Sequence, residues 1–218
     1  MKRIICFCLL VYLTLAISAM SAVSLAKRHQ IGLSVGMCNQ ATGVRTAVSM
    51  ESVSTTVDNS GVYGGLKYGY WAQENLAFTF EAGAMASDVE NEVDGSGVST
   101  STASVAPIRI GMKYYFLKTT PELTVRPFFD VAFGPYVGTQ TKSEVGTEIV
   151  TESRTETTIG GRLGMGMDII LSRKFVMETA VGYNLMSDFS QPIGGSKNYS
   201  GPEFRMGIGF VFGKGTEN

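Results

Sequence analysis

Histidine and cysteine are scarce in this sequence, which has one histidine and three cysteines among 218 residues. Zinc sites need closely spaced Cys or His ligands, and nucleotide sites need a characteristic glycine-rich phosphate loop. Neither spacing is present, and no nucleophile motif stands beside the histidine. We therefore expect neither a metal nor a cofactor.

Long hydrophobic runs are missing except at the N-terminus. Lys2 and Arg3 precede an uncharged, largely apolar run over residues 4–17, and small residues follow up to Ala26. This is the layout of a secretory signal peptide, and the run is too short for a membrane-spanning helix. We predict a signal peptide over 1–26, cleaved after Ala26, and a single domain over 27–218.

Removal of that leader leaves few reactive groups. Cys6 and Cys8 are lost, so Cys38 remains alone and no disulfide can form within one chain. His29 is then the third residue of the mature chain, and a catalytic base so close to a chain end is poorly held against a nucleophile and an acid. Carboxylate pairs such as Asp168 and Glu178 are explained more simply by charge-balanced burial. We expect no enzyme activity.

The charge balance also excludes one class of partner. Without Lys2 and Arg3, the 18 basic residues fall to 16 against 19 acidic ones, a net charge near −3. Nucleic-acid binding normally requires a basic surface. We expect no nucleic-acid partner.

Period-two alternation dominates the rest of the chain. Residues 203–212 place Phe204, Met206, Ile208, Phe210 and Phe212 on one face, with charged or small residues between them except for one valine. Such alternation indicates a strand with unlike faces, and ten residues suffice for a tilted strand to cross a bilayer core. Helical periodicity is absent after Ala26. Seven further segments follow this pattern, at 30–38, 61–71, 76–86, 105–116, 125–138, 158–171 and 175–186.

The connections between these segments alternate in length. Those at 72–75, 118–124 and 172–174 are short, whereas those at 39–60, 87–104, 139–157 and 187–201 are long and polar. Outer-membrane barrels alternate short periplasmic turns with long outer loops in this way. The pattern predicts an all-β, eight-stranded antiparallel up-and-down transmembrane β-barrel with both termini in the periplasm. Residues 44–57, from Val44 to Val57, are either an extra strand or a strand-like loop, and we favour the loop because a ninth strand would break the even count.

Aromatic residues recur at one predicted rim of this barrel. Amphipathic rings favour the membrane interface, so aromatic residues at the same height on several strands suggest an aromatic girdle. The general frequency of aromatic residues in strands would explain their number but not their common height. The predicted interface aromatics are Tyr68, Tyr70, Trp71, Phe78, Tyr114, Phe116, Phe175, Phe210 and Phe212.

Charged residues fall on the opposite, inward face of the same strands. Opposed charges satisfy each other, and an eight-stranded barrel is just wide enough for its side chains to fill. We favour a charge network that fills the lumen, and a polar conduction path is the alternative. The predicted network comprises Lys67, Glu81, Arg109, Lys113, Arg126, Asp130, Arg162, Asp168, Glu178, Glu203 and Arg205.

Two strand registers would pair some of these charges. If Trp71 faces Ala77 across the turn at 72–75, Lys67 lies opposite Glu81. If Phe116 faces Leu123 across the next turn, Arg109 lies opposite Asp130. Both registers keep the inward residues inward.

Two of the long connections have distinctive compositions. Asp88, Glu90, Glu92 and Asp94 alternate as in a calcium loop, but position twelve is Ser101 and not a bidentate glutamate, so we predict a solvated acidic loop. Residues 139–157 are rich in Thr and Val, which predicts that strands five and six continue past the membrane as a hairpin with an exposed edge.

Residues 126–134 (RPFFDVAFG) and 161–168 (GRLGMGMD), together with the leader and the eight strands, resemble small Gram-negative outer-membrane barrels. The resemblance is to the outer membrane protein β-barrel domain group, which includes OmpX-, OmpA- and OmpW-like proteins, although those chains commonly end at an aromatic and here residues 213–218 follow. It implies a location in the bacterial outer membrane, surrounded by outer-membrane lipids, and we expect a monomer there. It also implies an adhesion- or defence-like role, in which the long loops contact a surface ligand or partner protein. A narrow channel for small solutes is the alternative.

Overall fold

The computed structural model describes residues 24–39, 60–94, 97–117, 124–145 and 149–214. Residues 1–23 of the predicted leader and the ambiguous segment 44–57 lie outside these ranges. Within them, no helix is long and apolar enough to cross a membrane.

Eight antiparallel strands close into a barrel in chain order, and the last strand pairs with the first. The alternating segments form these strands because one face of each is apolar and the other polar or small. The strands are β1 (His29–Asn39), β2 (Ser60–Gln73), β3 (Leu76–Asp94), β4 (Gly97–Tyr115), β5 (Val125–Val145), β6 (Ile149–Ile170), β7 (Phe175–Met186) and β8 (Gly201–Phe212).

The predicted fold class and strand count are confirmed, but the predicted solvated loop at 87–104 is wrong. The stretches at 87–104 and 139–157 are mostly strand, and only 95–96 and 146–148 separate the paired strands at their tips. The acidic stretch 88–94 therefore belongs to β3, with Glu90 in register with Ser101 after a bulge between Ala86 and Asp88. Thr- and Val-rich composition favours pairing, which outweighs the polar character that suggested loops. The predicted extension of β5 and β6 is confirmed.

The barrel exposes apolar side chains and buries charged ones. Leu33 is 61% exposed and Ile159 is 70% exposed, whereas Arg162 on the same strand as Ile159 is 1% exposed. In β8, exposed and buried residues alternate over most of the strand. This arrangement is the inverse of a soluble fold and is typical of a wall that faces lipid.

The interior contains an apolar cluster at each end and charges between them. The turn end, where the short connections at 72–75 and 171–174 lie, holds Leu25, Trp71, Tyr115, Phe128 and Ile170 among its buried residues. The opposite, loop end holds a second apolar cluster, formed by residues such as Cys38, Tyr63, Met85, Val105 and Tyr136.

The connection at 187–200 folds over the loop end of the lumen. It was predicted to be a long polar loop, yet Phe189, Ile193 and Tyr199 are buried in the second apolar cluster. The backbone N–H of Phe189 donates to Lys197 O at 2.8 Å. Gly194 and Gly195 have φ of 56° and 77°, a backbone that other residues rarely adopt, and they allow the tight reversal at the tip. We call residues 187–200 the cap.

Candidate functional site

All eleven predicted charged residues are buried inside the barrel, each at most 8% exposed. They reach the lumen because they occupy alternate positions on β2 to β8. Burying so many charges is tolerated only where each has partners, so the contacts between them define the site.

The first of the two predicted registers is confirmed and the second is wrong. Trp71 pairs with Ala77 and Lys67 with Glu81. Asp130, however, pairs with Lys113 on β4, four residues from Arg109. The observed register of β4 against β5 differs from the predicted one, but every residue stays on its predicted face of the sheet. Alternation alone cannot distinguish registers that differ by an even number of residues.

Glu81 lies at the middle of the network and binds two guanidinium groups. Arg109, its register partner on β4, places Nη2 3.1 Å from Glu81 Oε2. Arg205 on β8 donates to Glu81 Oε1 from the other side. Tyr63 OH also donates to Oε1 at 3.1 Å. The carboxylate therefore links β4 and β8, which are not neighbours in the barrel wall.

Glu203 is a second shared acceptor towards the loop end. Arg162 Nε lies 3.0 Å from Oε1, and Arg205 Nε lies 2.9 Å from the same oxygen. Asn184 Nδ2 donates to Oε2 at 2.6 Å, and Asn184 Oδ1 accepts from Arg109 Nη1 at 2.6 Å. Sequence reasoning missed Asn184, although its inward parity on β7, shared with Glu178, was a usable signal. Arg162 also binds Asp130.

Two lysines share Glu178 towards the turn end. Lys67 Nζ and Lys113 Nζ each lie 2.7 Å from Glu178 Oε2. Lys113 also lies 3.3 Å from Asp168 Oδ1, and Tyr115 OH donates to Asp168 Oδ2 at 2.6 Å. A cavity beside Lys67 and Glu178 holds about 10 Å³, which is roughly the space for one water.

Arg126 joins the network to the apolar cluster of the turn end. Its guanidinium carbon lies 4.1 Å from the centroid of the Tyr115 ring, and Nη2 donates to Glu74 O. Lys113 Nζ similarly lies 3.7 Å from the centroid of the Phe128 ring. Such cation–π contacts stabilise charges that few water molecules reach.

Eight of the nine predicted interface aromatics lie on the outward side near the turn end. Seven are exposed and Tyr70 is half-buried, and their place at a membrane interface stays a prediction. Trp71 contradicts the prediction, because it is 1% exposed and packs in the turn-end cluster. It has the same parity as Lys67 on β2 and therefore points inward.

His29 lies in a paired strand and not at a frayed chain end. It begins β1, where it pairs by register with Tyr70 and Phe212. Its Nδ1 lies 2.6 Å from Tyr68 OH, and its ring stacks on Phe212 with centroids 5.5 Å apart. The expected fraying is therefore wrong, and the histidine belongs to the outward aromatic group. In the described ranges, no group of three or more His, Cys, Asp or Glu residues could hold a metal ion.

An inside-out closed barrel with a charged interior defines a small membrane barrel, and the comparisons agree. Residues 9–212 match the outer membrane protein beta-barrel domain, so the chain belongs to this family of bacterial outer-membrane proteins. No curated protein sequence matches the chain.

Several solved structures are similar to the chain at low sequence identity. One is Ail, the attachment invasion locus protein of Yersinia pestis, in complex with the heparin analogue sucrose octasulfate, with 12% identity, 86% of this chain and 99% of that chain covered, and a TM-score of 0.51. The structure of Ail without that ligand has 14% identity to this chain and a TM-score of 0.50, and the match covers 86% of this chain and 99% of that chain. OprG from Pseudomonas aeruginosa has 14% identity to this chain and a TM-score of 0.45, and the match covers 89% of this chain and 99% of that chain.

Proposed function

We propose that this outer-membrane barrel is closed by its own side chains and contacts other molecules through a sheet that projects from its loop end. The observation that carries the proposal is the extension of β3 to β6 well beyond the other strands. A long projection is unnecessary for a wall that only spans lipid, whereas surface contact requires one.

Three layers support a closed lumen. The turn-end cluster, the charge network and the loop-end cluster with its cap follow one another along the barrel axis. The arginines and lysines contact carboxylates on non-adjacent strands, so side chains cross the space that a conduction path would need. This arrangement favours a plug over a narrow channel.

The projecting sheet presents strand edges for contact. Among the described strands, β2 pairs with β3 only as far as Ala86, and β7 pairs with β6 only from Gly160. Residues 149–159 of β6 therefore continue without β7 for roughly 35 Å along the strand. An unpaired strand edge can bind another chain by adding a strand to the sheet.

The charges of this sheet do not favour a polyanion like the one bound to Ail. Lys142 and Arg154 lie on the same face of the β5–β6 hairpin as Glu152 and Glu156, and Lys142 is in register with Glu152. The charges of these four residues cancel, so the described part of the hairpin does not present the basic surface that sulfated ligands require.

A truncated hairpin tests the surface role. Residues 142–152 are replaced by an Asn-Gly turn, which closes β5 on β6 just above the barrel. We expect bacteria that express the intact barrel to adhere to epithelial monolayers and the truncated version to lose that adhesion. Lys197→Gln in the cap is the control and should adhere normally. Equal adhesion of the truncated and intact versions, with both folded, would contradict the proposal.

A further inference from the structure

On the outward face of the projecting sheet, the residues whose side chains the structure describes carry hydroxyl groups and no charge. In β5 the outward positions above Val137 are Thr139, Thr141 and Ser143, continuing the alternation of Phe129 and Phe133. Ser143 Oγ lies 3.5 Å from Thr151 Oγ1 on β6, which places the two side chains on one face. We call the set the hydroxyl ladder, and it comprises Thr102, Ser104, Thr139, Thr141, Ser143, Thr151, Ser153, Thr155 and Thr157.

Strand register arranges this ladder in rows. Thr139 pairs with Ser104 on one side and with Thr155 on the other. Thr141 pairs likewise with Thr102 and Ser153. Each row therefore crosses three strands with a hydroxyl on each, and successive rows lie roughly 7 Å apart.

β-propensity explains threonine here but does not explain the missing charge. The opposite face at the same heights carries Lys142, Glu152, Arg154 and Glu156. Gln140 lies on that face too, since its Nε2 donates to Ser101 Oγ at 3.0 Å. If charged residues were distributed at random between the two exposed faces, both faces would carry some of them. The outward face is instead suited to an uncharged ligand with many hydroxyl groups.

An apolar groove lies directly below the ladder, at the upper limit of the lipid-facing wall. It has a volume of about 660 Å³ and is lined by Phe133, Pro135, Ile159 and Leu185 among others. Gly161 pairs with both Phe133 and Leu185, so no side chain fills the space between these two. The volume is typical of ligand pockets, which range over ~300–1,000 Å³.

From the groove and the ladder together, we infer that the outward face of β4 to β7 binds a membrane glycolipid, with an acyl chain in the groove between β5 and β7 and an uncharged sugar headgroup on the hydroxyl ladder of β4 to β6. Apolar and hydroxyl surfaces follow each other along the same strands in the order that such a molecule would have when it is embedded beside the wall. A soluble sugar would not need the groove, and a phosphate headgroup would need cations that this face lacks.

The inference rests on the membrane location and the projecting sheet, and adds a ligand for one face. It is independent of strand-edge contact, because a ligand on the face leaves the β6 edge free. The adhesion experiment can therefore fail while this one succeeds, and the reverse.

Native mass spectrometry of the full barrel, released from phosphatidylcholine nanodiscs, tests the inference. The discs contain equal small fractions of digalactosyl diacylglycerol, which is neutral, and phosphatidylglycerol, which has similar chains and an anionic headgroup. We expect the wild-type barrel to retain about tenfold more galactolipid than phosphatidylglycerol, because several hydrogen bonds from the hydroxyl ladder would bind the sugar. Equal retention, or a preference for phosphatidylglycerol, would overturn the inference.

Variants separate the two parts of the site. The triple change Thr139→Val, Thr141→Val and Thr155→Val keeps shape and β-propensity but removes hydroxyls, and it should abolish the preference. Phe133→Ala with Leu185→Ala should reduce retention of both lipids. Lys142→Gln, on the opposite face, is the matched control and should change neither.

An unaltered preference in the triple variant would contradict the ladder's role, and saturable binding of free lactose at equal affinity would contradict a membrane source. The heat-modified gel shift of each variant confirms that it is folded.

Discussion

Lys67 stands opposite Glu81 on the neighbouring strand, yet its ammonium group binds Glu178 on β7, with Nζ 2.9 and 2.7 Å from the two carboxylate oxygens. Register placed the lysine beside one carboxylate, and the width of the lumen let it reach another. The bridge thus connects walls that share no hydrogen bonds. Ion pairs of this kind span the lumen between strands that are not neighbours in the wall.

Glu178→Gln should strongly destabilise the barrel, because Lys67 and Lys113 both lose their shared carboxylate. Removing one partner of a buried ion pair costs about 3–5 kcal/mol. Urea unfolding of the refolded barrel, followed by the folded and unfolded bands on unboiled gels, measures the free energy of unfolding. Glu156→Gln on the projecting hairpin is the control, and its effect should stay within about 0.5 kcal/mol. Similar losses for both variants would contradict the network.

Phe189→Ala should open the cap and expose Cys38. The two residues share the loop-end cluster, where Cys38 is 8% exposed. Truncating a buried phenylalanine removes about 3–5 kcal/mol of packing and leaves a cavity. An impermeant maleimide on intact cells should label Cys38 slowly in the wild type and much faster in the variant. Phe133→Ala on the lipid-facing wall should leave the labelling rate unchanged, and rapid labelling of the wild type would show that the cap is open.

The topology predicts which connections face the medium. In a Cys38→Ala background, Lys197→Cys in the cap should react with an impermeant thiol reagent on intact cells. Arg173→Cys in the turn between β6 and β7 should react only after lysis, since both positions are exposed on the protein but lie at opposite ends. Labelling of Arg173→Cys on intact cells, with none at Lys197→Cys, would reverse the orientation.

The contacts of Leu25 affect the expected processing site. Leu25 is 2% exposed within the turn-end cluster, and Lys27 N donates to Trp71 O at 2.7 Å. Ala26 N also donates to Glu74 Oε1 at 3.3 Å. Cleavage after Ala26 would remove Leu25 from this packing. The small residues Ala19 and Ser21 provide an earlier site of the same type.

We accordingly expect the mature protein to begin upstream of Leu25. Intact-mass measurement of the barrel extracted from outer membranes decides between the two sites. A mature N-terminus at Lys27 would instead support the cleavage site that the sequence predicts, and the turn-end cluster would then form without Leu25.

The alternation of apolar and polar residues predicts most of the fold, and there are physical reasons for what it does not predict. Alternation assigned Glu81 and Arg205 correctly to the lumen, because a strand has only two faces. Alternation does not set the offset of β4 against β5, so the predicted register pairs Arg109 with Asp130, whereas the structure pairs Asp130 with Lys113. The prediction places Trp71 among the interface aromatics because its ring is amphipathic, although its position in the strand alternation points inward. The structure buries Trp71, in agreement with the alternation.

The cap was missed for a different reason. Phe189 and Ile193 lie apart in a polar, glycine-containing connection, where no period marks them as buried. Their burial depends on the shape of the mouth, which long-range pairing creates. Asn184 carries no charge, so charge balance does not mark it as part of the network, although it accepts from Arg109 and donates to Glu203.

Single-channel recording in planar bilayers tests the central claim, that the lumen is filled by its own side chains. Wild-type barrels, shown to be inserted and folded by their gel shift, should show no steady conductance. Arg205→Ala, which removes a side chain that contacts Glu81 and Glu203, should produce measurable openings. A steady, large conductance from the wild type, unchanged by Arg205→Ala, would contradict the account and identify the barrel as an open channel.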